Sequence, residues 1–186
     1  MPNNLIVQQT KKWITDVVVG CNFCPFAAKE VKQDTIHYAV ESSNDTTHCL
    51  ERFLQECKRL DSYTSIETTL VIFSNAFEEF DEYLALVDLA EKVLIDYRYE
   101  GIYQVASFHP RYQFAGAHEN DAANYTNRSL YPMLHLLREA SIEAALEKYP
   151  DPESIPERNI RFAHEKGVEY MKRLWNTSRE GEFKSL

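Results

Sequence analysis

The sequence predicts a single α/β domain, a small sheet of largely parallel or mixed strands covered by helices, with a long ordered loop between the third strand and the helix after it. Three observations carry this expectation. Segments with helical spacing alternate with short β-branched runs along the chain. One such run, Thr68–Phe73 (Thr-Thr-Leu-Val-Ile-Phe), is apolar on both faces, as a strand buried between two layers requires. The chain has 186 residues, 44% hydrophobic and 26% charged, which suits one sizeable core and excludes extended disorder or a fibrous repeat.

Residues 5–19 place Leu5, Ile6, Gln9, Trp13 and Val17 near one helical face and end at Gly20, a usual helix stop. Pro25 suits a first helical turn, so a short second helix is expected over 25–31, with Cys24 at or near its N-cap. Residues 35–40 alternate as a strand. Residues 46–60 then read as an amphipathic helix through Cys49, Leu50, Phe53, Leu54, Cys57 and Leu60. Beyond the apolar central strand, a long helix is expected over 77–97, and Gly101 opens a third strand over 102–108. Residues 109–131 show no apolar period but carry Tyr112, Phe114, Tyr125 and Tyr131, which favours a long ordered loop over a disordered one. Pro132 is expected to start a helix reaching 149. Pro150, Pro152 and Pro156 break the pattern, and a last amphipathic helix covers 155–175. The domain is thus expected over residues 1–176, with a flexible tail over 177–186.

Twenty Lys and Arg against 29 Asp and Glu give a net charge of -9, which argues against nucleic acid or a membrane surface as partner and leaves room for a local basic pocket. The N-terminal Met1-Pro-Asn-Asn lacks the basic start of a signal peptide, and no apolar run approaches a bilayer span, so a cytoplasmic location is expected. In that compartment Cys21, Cys24, Cys49 and Cys57 are expected as free thiols or part of a site rather than a disulfide framework. The sequons at Asn44, Asn124 and Asn176 then carry no weight.

Chemistry concentrates between Ala106 and Glu139, where His109, His118 and His135 gather with Arg111, Arg128, Arg138 and several amides. Ser107 and His109 fall at the carboxyl end of the third expected strand, where open α/β sheets bind ligands. On a helix over 132–149, His135, Arg138 and Glu139 share a face, and Arg128 and Ser129 precede the helix N-terminus, an arrangement suited to a phosphate or carboxylate. Equally, Asn127, Arg128 and Ser129 serve as plain helix caps and loop braces, and His135 as a hydrogen-bonded structural residue. Cys21 and Cys24 have the spacing of a dithiol or half a zinc site. The pair follows a helix rather than a strand and lacks two further ligands, which favours one functional or packed thiol at Cys24. His37, His48 and His164, together with Asp81 and Glu82, read as surface or packing residues.

The motifs Cys24-Pro-Phe-Ala, Ala106-Ser-Phe-His-Pro and Asn124-Tyr-Thr-Asn-Arg-Ser, with Tyr131-Pro-Met-Leu-His-Leu-Leu-Arg-Glu-Ala-Ser, occur in that order. Together they resemble the uncharacterised domain-of-unknown-function family 1415, over a span from Trp13 to about Gly167. The resemblance implies no assigned reaction. It places the family's motif residues on Cys24, Pro25, Phe26, Ser107, His109, Pro110, Asp121, Asn124, Asn127, Arg128, His135, Arg138 and Glu139. Two positions depart from the family pattern: Cys21, where leucine is usual, and His118, which is not regularly histidine. Both residues therefore rank lower as candidates; the departure at Cys21 weakens the dithiol and Cys-x-x-Cys zinc readings, which leaves Cys24, His109 and His135 foremost.

The leading expectation is an enzyme acting on a small anionic substrate. His109, His135, Cys24 and Asp121 are the catalytic candidates, and Ser107, Asn124, Asn127, Arg128, Ser129 and Arg138 the candidates that hold the anion. One alternative is a zinc or iron site formed by His109, His135, Asp121 and Cys24. The other is a non-catalytic binding protein whose polar loop is held by its own hydrogen bonds, with no pocket that brings His109 and Arg128 side by side.

Overall fold

A computed structural model describes residues 1–180. The chain opens with α1 (Asn3–Trp13), which runs straight into one π-helical stretch, Ile14–Val19. A Cβ on Gly20 would lie 2.3 Å from the carbonyl oxygen of Asp16, so the wide turn closes on a residue without a side chain. Then come α2 (Ala27–Gln33), β1 (Ile36–Glu41), α3 (Thr46–Ser62), β2 (Thr68–Phe73), α4 (Phe80–Asp96) and β3 (Tyr103–Phe108). The long loop follows, holding one 3-10 turn (Ala122–Thr126), and leads to β4 (Met133–Arg138), α5 (Glu139–Leu146), α6 (Ile155–Lys166) and α7 (Val168–Arg179).

The sheet is mixed, with four strands in the order β1-β2-β4-β3. β1 and β2 are parallel, and β4 runs antiparallel to both β2 and β3. Side-chain alternation splits the core in two. On one face Leu70, Ile72 and Met133 pack under α1, the π turn, α6 and α7 through Ile6, Trp13, Val17, Ala163 and Met171. On the other, Val71, Phe73, Leu134 and Leu136 pack under α3 and α4 through Phe53, Leu60, Tyr83, Leu86 and Ala90. Among the described residues no helix is long and apolar enough to cross a membrane.

The central correction concerns residues 133–138, expected as the first part of a helix and found as the strand between β2 and β3. Met-Leu-His-Leu-Leu-Arg is made of good helix formers, and a short run buried on both faces has no period that separates strand from helix. The two flanking ladders decide it, since β2 and β3 would otherwise face each other's unpaired backbone across an empty position. The helix that does form starts at Glu139. Three smaller differences follow local chemistry. The second helix starts at Ala27 with Phe26 as N-cap, so Pro25 and Cys24 lie in the preceding turn. The helix expected over 155–175 is two helices, broken at Gly167, whose φ of 80° no helix accepts. The final helix continues to Arg179 with Ser178 buried, which carries ordered structure past 176; the rest of the expected tail, residues 181–186, lies outside the described residues.

Candidate functional site

The strand at 133–138 rearranges the expected cluster. Arg128 and Ser129 precede a strand, so no helix dipole supports an anion beside them. Five strand steps separate Met133 from Arg138, roughly 17 Å at about 3.4 Å per residue, so Arg128 and Arg138 sit toward opposite ends of the sheet. Arg138 turns to the α3 face and lies over the Tyr103 ring. Its Nη2 donates to the carbonyls of Leu60 (2.7 Å) and Ile66 (3.0 Å), closing the C-terminal end of α3. Arg128 lies over the Tyr125 ring and donates from Nε to the Tyr112 carbonyl (3.0 Å) and from Nη2 to the Glu119 carbonyl (2.9 Å).

Asn124 is fully buried and staples the same loop. Its Oδ1 accepts from the Phe114 N–H, and its Nδ2 donates to the carbonyls of His118 and Glu119. Asn127 caps the 3-10 turn and accepts from the Thr126 hydroxyl. Ser129 is buried, donates to the Tyr131 carbonyl at 2.5 Å, and accepts from the Trp175 indole at its own carbonyl. Asp121 caps that turn through the Ala123 N–H and meets His164 Nε2 at 2.7 Å; these two contacts, the backbone bond first, hold its carboxyl below the usual range.

The two principal histidines are parted by the sheet. His109 is fully buried against Phe80 and Tyr83 on the α4 side. Its Nδ1 accepts from the Arg111 N–H (3.0 Å), so Nε2 carries the proton and donates to the Phe77 carbonyl (2.8 Å). Both ring nitrogens are engaged, and burial lowers its pKa. His135 projects from the opposite face beside Phe108. The Thr68 hydroxyl donates to the Leu136 carbonyl, so it accepts from His135 Nε2 at 2.7 Å; the ring is neutral, and burial lowers its pKa to about 4. Ser107 alternates onto the α4 face, and half-buried Cys24 packs against the α1 side of the core. Among the described residues no three His, Cys, Asp or Glu side chains converge where they would hold a metal ion, so His109, His135, Asp121 and Cys24 do not form the metal site considered from sequence.

A concave site lies at the same edge of the sheet but one connection away. The turns after β1 and β2 are stitched together by Ser74 N–H to the Glu41 carbonyl and Asn75 Nδ2 to the Ser42 carbonyl. With the start of α4 they line an open cleft of about 630 Å³, within the range of small-molecule sites. Leu86, Ala85, Leu89 and Phe77 give it an apolar wall, and Asn44, Asn75, Glu78, Glu79 and Glu82 a polar rim. The long loop shapes this wall: His109 holds the Phe77 carbonyl, and Arg111 binds Glu79 at 2.6 Å. Phe77 itself sits at a φ of 60°, a conformation that an aromatic residue keeps only when its surroundings impose it. None of the rim residues was singled out as a site from sequence. The available signal was positional: Ser42 to Asp45 and Ser74-Asn75 are polar turns at the carboxyl ends of the two parallel strands.

Fold and site together define an α/β domain with a cleft at the carboxyl ends of its parallel strand pair. The chain belongs to the family described as a protein of unknown function, DUF1415, whose sequence profile matches residues 5–173. No curated protein and no solved structure matches it.

Proposed function

We propose that this domain binds a small molecule with a cationic group and an apolar body in the cleft at the ends of β1 and β2, and that the loop over residues 109–131 is the brace that keeps the cleft open. The observation that supports this reading is the pairing of an apolar wall with carboxylates on its rim, at the edge where open α/β sheets bind ligands. Glu79 is neutralised by Arg111, which leaves Glu78 and Glu82 to attract a cation. His109 and Arg111 act as positioning residues. The anionic substrate expected from sequence finds less support, because Arg128 and Arg138 would each have to release backbone carbonyls to hold it.

The test is a titration of isotopically labelled protein with hexylamine and with uncharged hexanol. The reading expects saturable shifts of the backbone signals of residues 77–82, stronger for the amine, and a loss of that preference in Glu82→Gln. Equal response to both compounds, or shifts confined to other surfaces, would refute it.

A further inference from the structure

β3 is an outer strand of the sheet, paired with β4 on one side and, among the described residues, with no strand on the other. The Glu139 N–H donates to the Ile102 carbonyl, so the even-numbered residues of β3 turn their backbone groups to β4 and the odd-numbered ones turn theirs outward. The Tyr103 N–H is taken by the Tyr99 carbonyl, which leaves Val105 and Ser107 facing the open edge. A row of outward donors and acceptors templates another strand, and edges are ordinarily blunted by charged residues, proline or a bulge. Tyr103–Phe108 (Tyr-Gln-Val-Ala-Ser-Phe) has no charge and no proline, and its six residues pair with β4 in unbroken register.

Apolar surface borders this edge. α4 packs against β3, and its Phe80 stacks on His109 just beyond the end of the strand, which marks the flank of the helix nearest the edge. Leu84, Val87, Glu91 and Ile95 follow Phe80 at spacings of three and four and so share that flank, whereas Ala85 and Leu89 line the cleft on the other. Leu84 is 41% exposed, Ile95 56% and Ile102, at the start of the edge, 49%.

The edge is complementary to itself. Antiparallel pairing about a two-fold axis at Val105 sets Ile102 beside the partner's Phe108 and Gln104 beside the partner's Ala106, on one face of the sheet. Along the chain the nearest charged residues on either side of the strand are Glu100 and Arg111. Antiparallel pairing brings each toward its opposite in the other copy, and parallel pairing would set like against like. Because β3 itself is uncharged, two chains of net charge -9 meet here without facing carboxylates. A strand pair alone is marginal in water, and the flanking side chains of α4 add the apolar burial that it needs.

We propose that the chain forms a two-fold homodimer through β3 and the Leu84–Ile95 flank of α4, joining two four-stranded sheets into one of eight strands. This surface lies on the flank of α4 away from the cleft, and neither proposal depends on the other.

Analytical ultracentrifugation of the full chain over a range of concentrations, with salt to screen its net charge, should show a reversible monomer–dimer equilibrium. Hydrogen exchange at the Val105 and Ser107 amides should slow as the dimer fills. Leu84→Lys should weaken the dimer by about tenfold or more, the range for losing an apolar anchor, although it lowers the net negative charge. Val105→Pro removes an outward N–H that β4 does not use and should weaken it as well. Leu84 is exposed in the single chain, so Leu84→Lys decides the matter even if Val105→Pro disturbs folding. A chain that stays monomeric at every concentration, leaving the edge to another polypeptide or to none, would overturn the proposal. So would a dimer of unchanged affinity in Leu84→Lys, or one whose Val105 and Ser107 amides exchange as fast as in the monomer.

Discussion

Acid should expose the neutral His135 as a measurable loss of stability. Burial disfavours the charged form of this ring in the folded chain and lowers its pKa from 6.5 to about 4, while the Thr68 hydroxyl accepts from its Nε2–H. In the unfolded chain the ring titrates near its ordinary value. Between those two values the unfolded state carries a proton that the folded state does not, so stability is complete above about pH 6.5 and falls as the pH drops toward 4. The gap corresponds to about 3 kcal/mol, a large fraction of the 5–15 kcal/mol typical of a domain. Urea unfolding of the wild type and of His135→Gln at pH 7.5, 5.5 and 4.5 isolates the effect, because glutamine keeps a donor for Thr68 and cannot take up the proton. His109 and His37, also lowered by burial, titrate in both proteins and cancel in the comparison. The lowered carboxyl of Asp121 acts only below its ordinary 3.8 and stays outside the window. The variant should lose up to about 3 kcal/mol less than the wild type on going from pH 7.5 to 4.5. Equal losses, or a His135 ring that titrates near 6.5 by NMR, would refute the argument.

Three further outcomes follow from single contacts. Gly20→Ala should lower the thermal midpoint by roughly the equivalent of 1–3 kcal/mol despite alanine's better helix propensity, because its Cβ would fall 2.3 Å from the Asp16 carbonyl oxygen. Arg138→Leu should cost about 1–3 kcal/mol in urea unfolding, since it strips the Leu60 and Ile66 carbonyls of their donor. His109→Ala removes a fully buried ring with two hydrogen bonds and should cost about 2–4 kcal/mol while raising hydrogen exchange over residues 76–80, whose backbone it holds.

How much of this was legible depended on whether local pattern or tertiary pairing decided each element. The run Thr68–Phe73 is a strand with the bounds its residues suggested, because β-branched side chains and flanking polar turns agree with its buried position. α3 and α4 likewise follow their apolar spacing. β4 was hidden, because helix-forming leucines on a strand buried on both faces carry no signal of their own; pairing with β2 and β3 supplies it. That one element moved the site. It placed His135 and Arg138 on opposite faces and removed the helix N-terminus expected behind Arg128. The loop's polar richness was read as reactivity, yet Asn124, Arg128, Ser129 and Asp121 mainly satisfy the backbone of a 24-residue irregular connection between β3 and β4 that has few regular partners of its own. The cleft beside it escaped notice because its rim consists of ordinary turn and helix-start residues, whose convergence exists only once β1 and β2 lie side by side.

The most direct test of the account is a crystal of the full chain soaked in turn with several small organic amines and alcohols, to see where bound molecules coincide. The account predicts superposed density in the cleft between Asn44, Asn75, Phe77 and Glu82, with amine groups toward the carboxylates. Molecules gathering instead around His135 or Arg128, with the cleft empty in every soak, would contradict it.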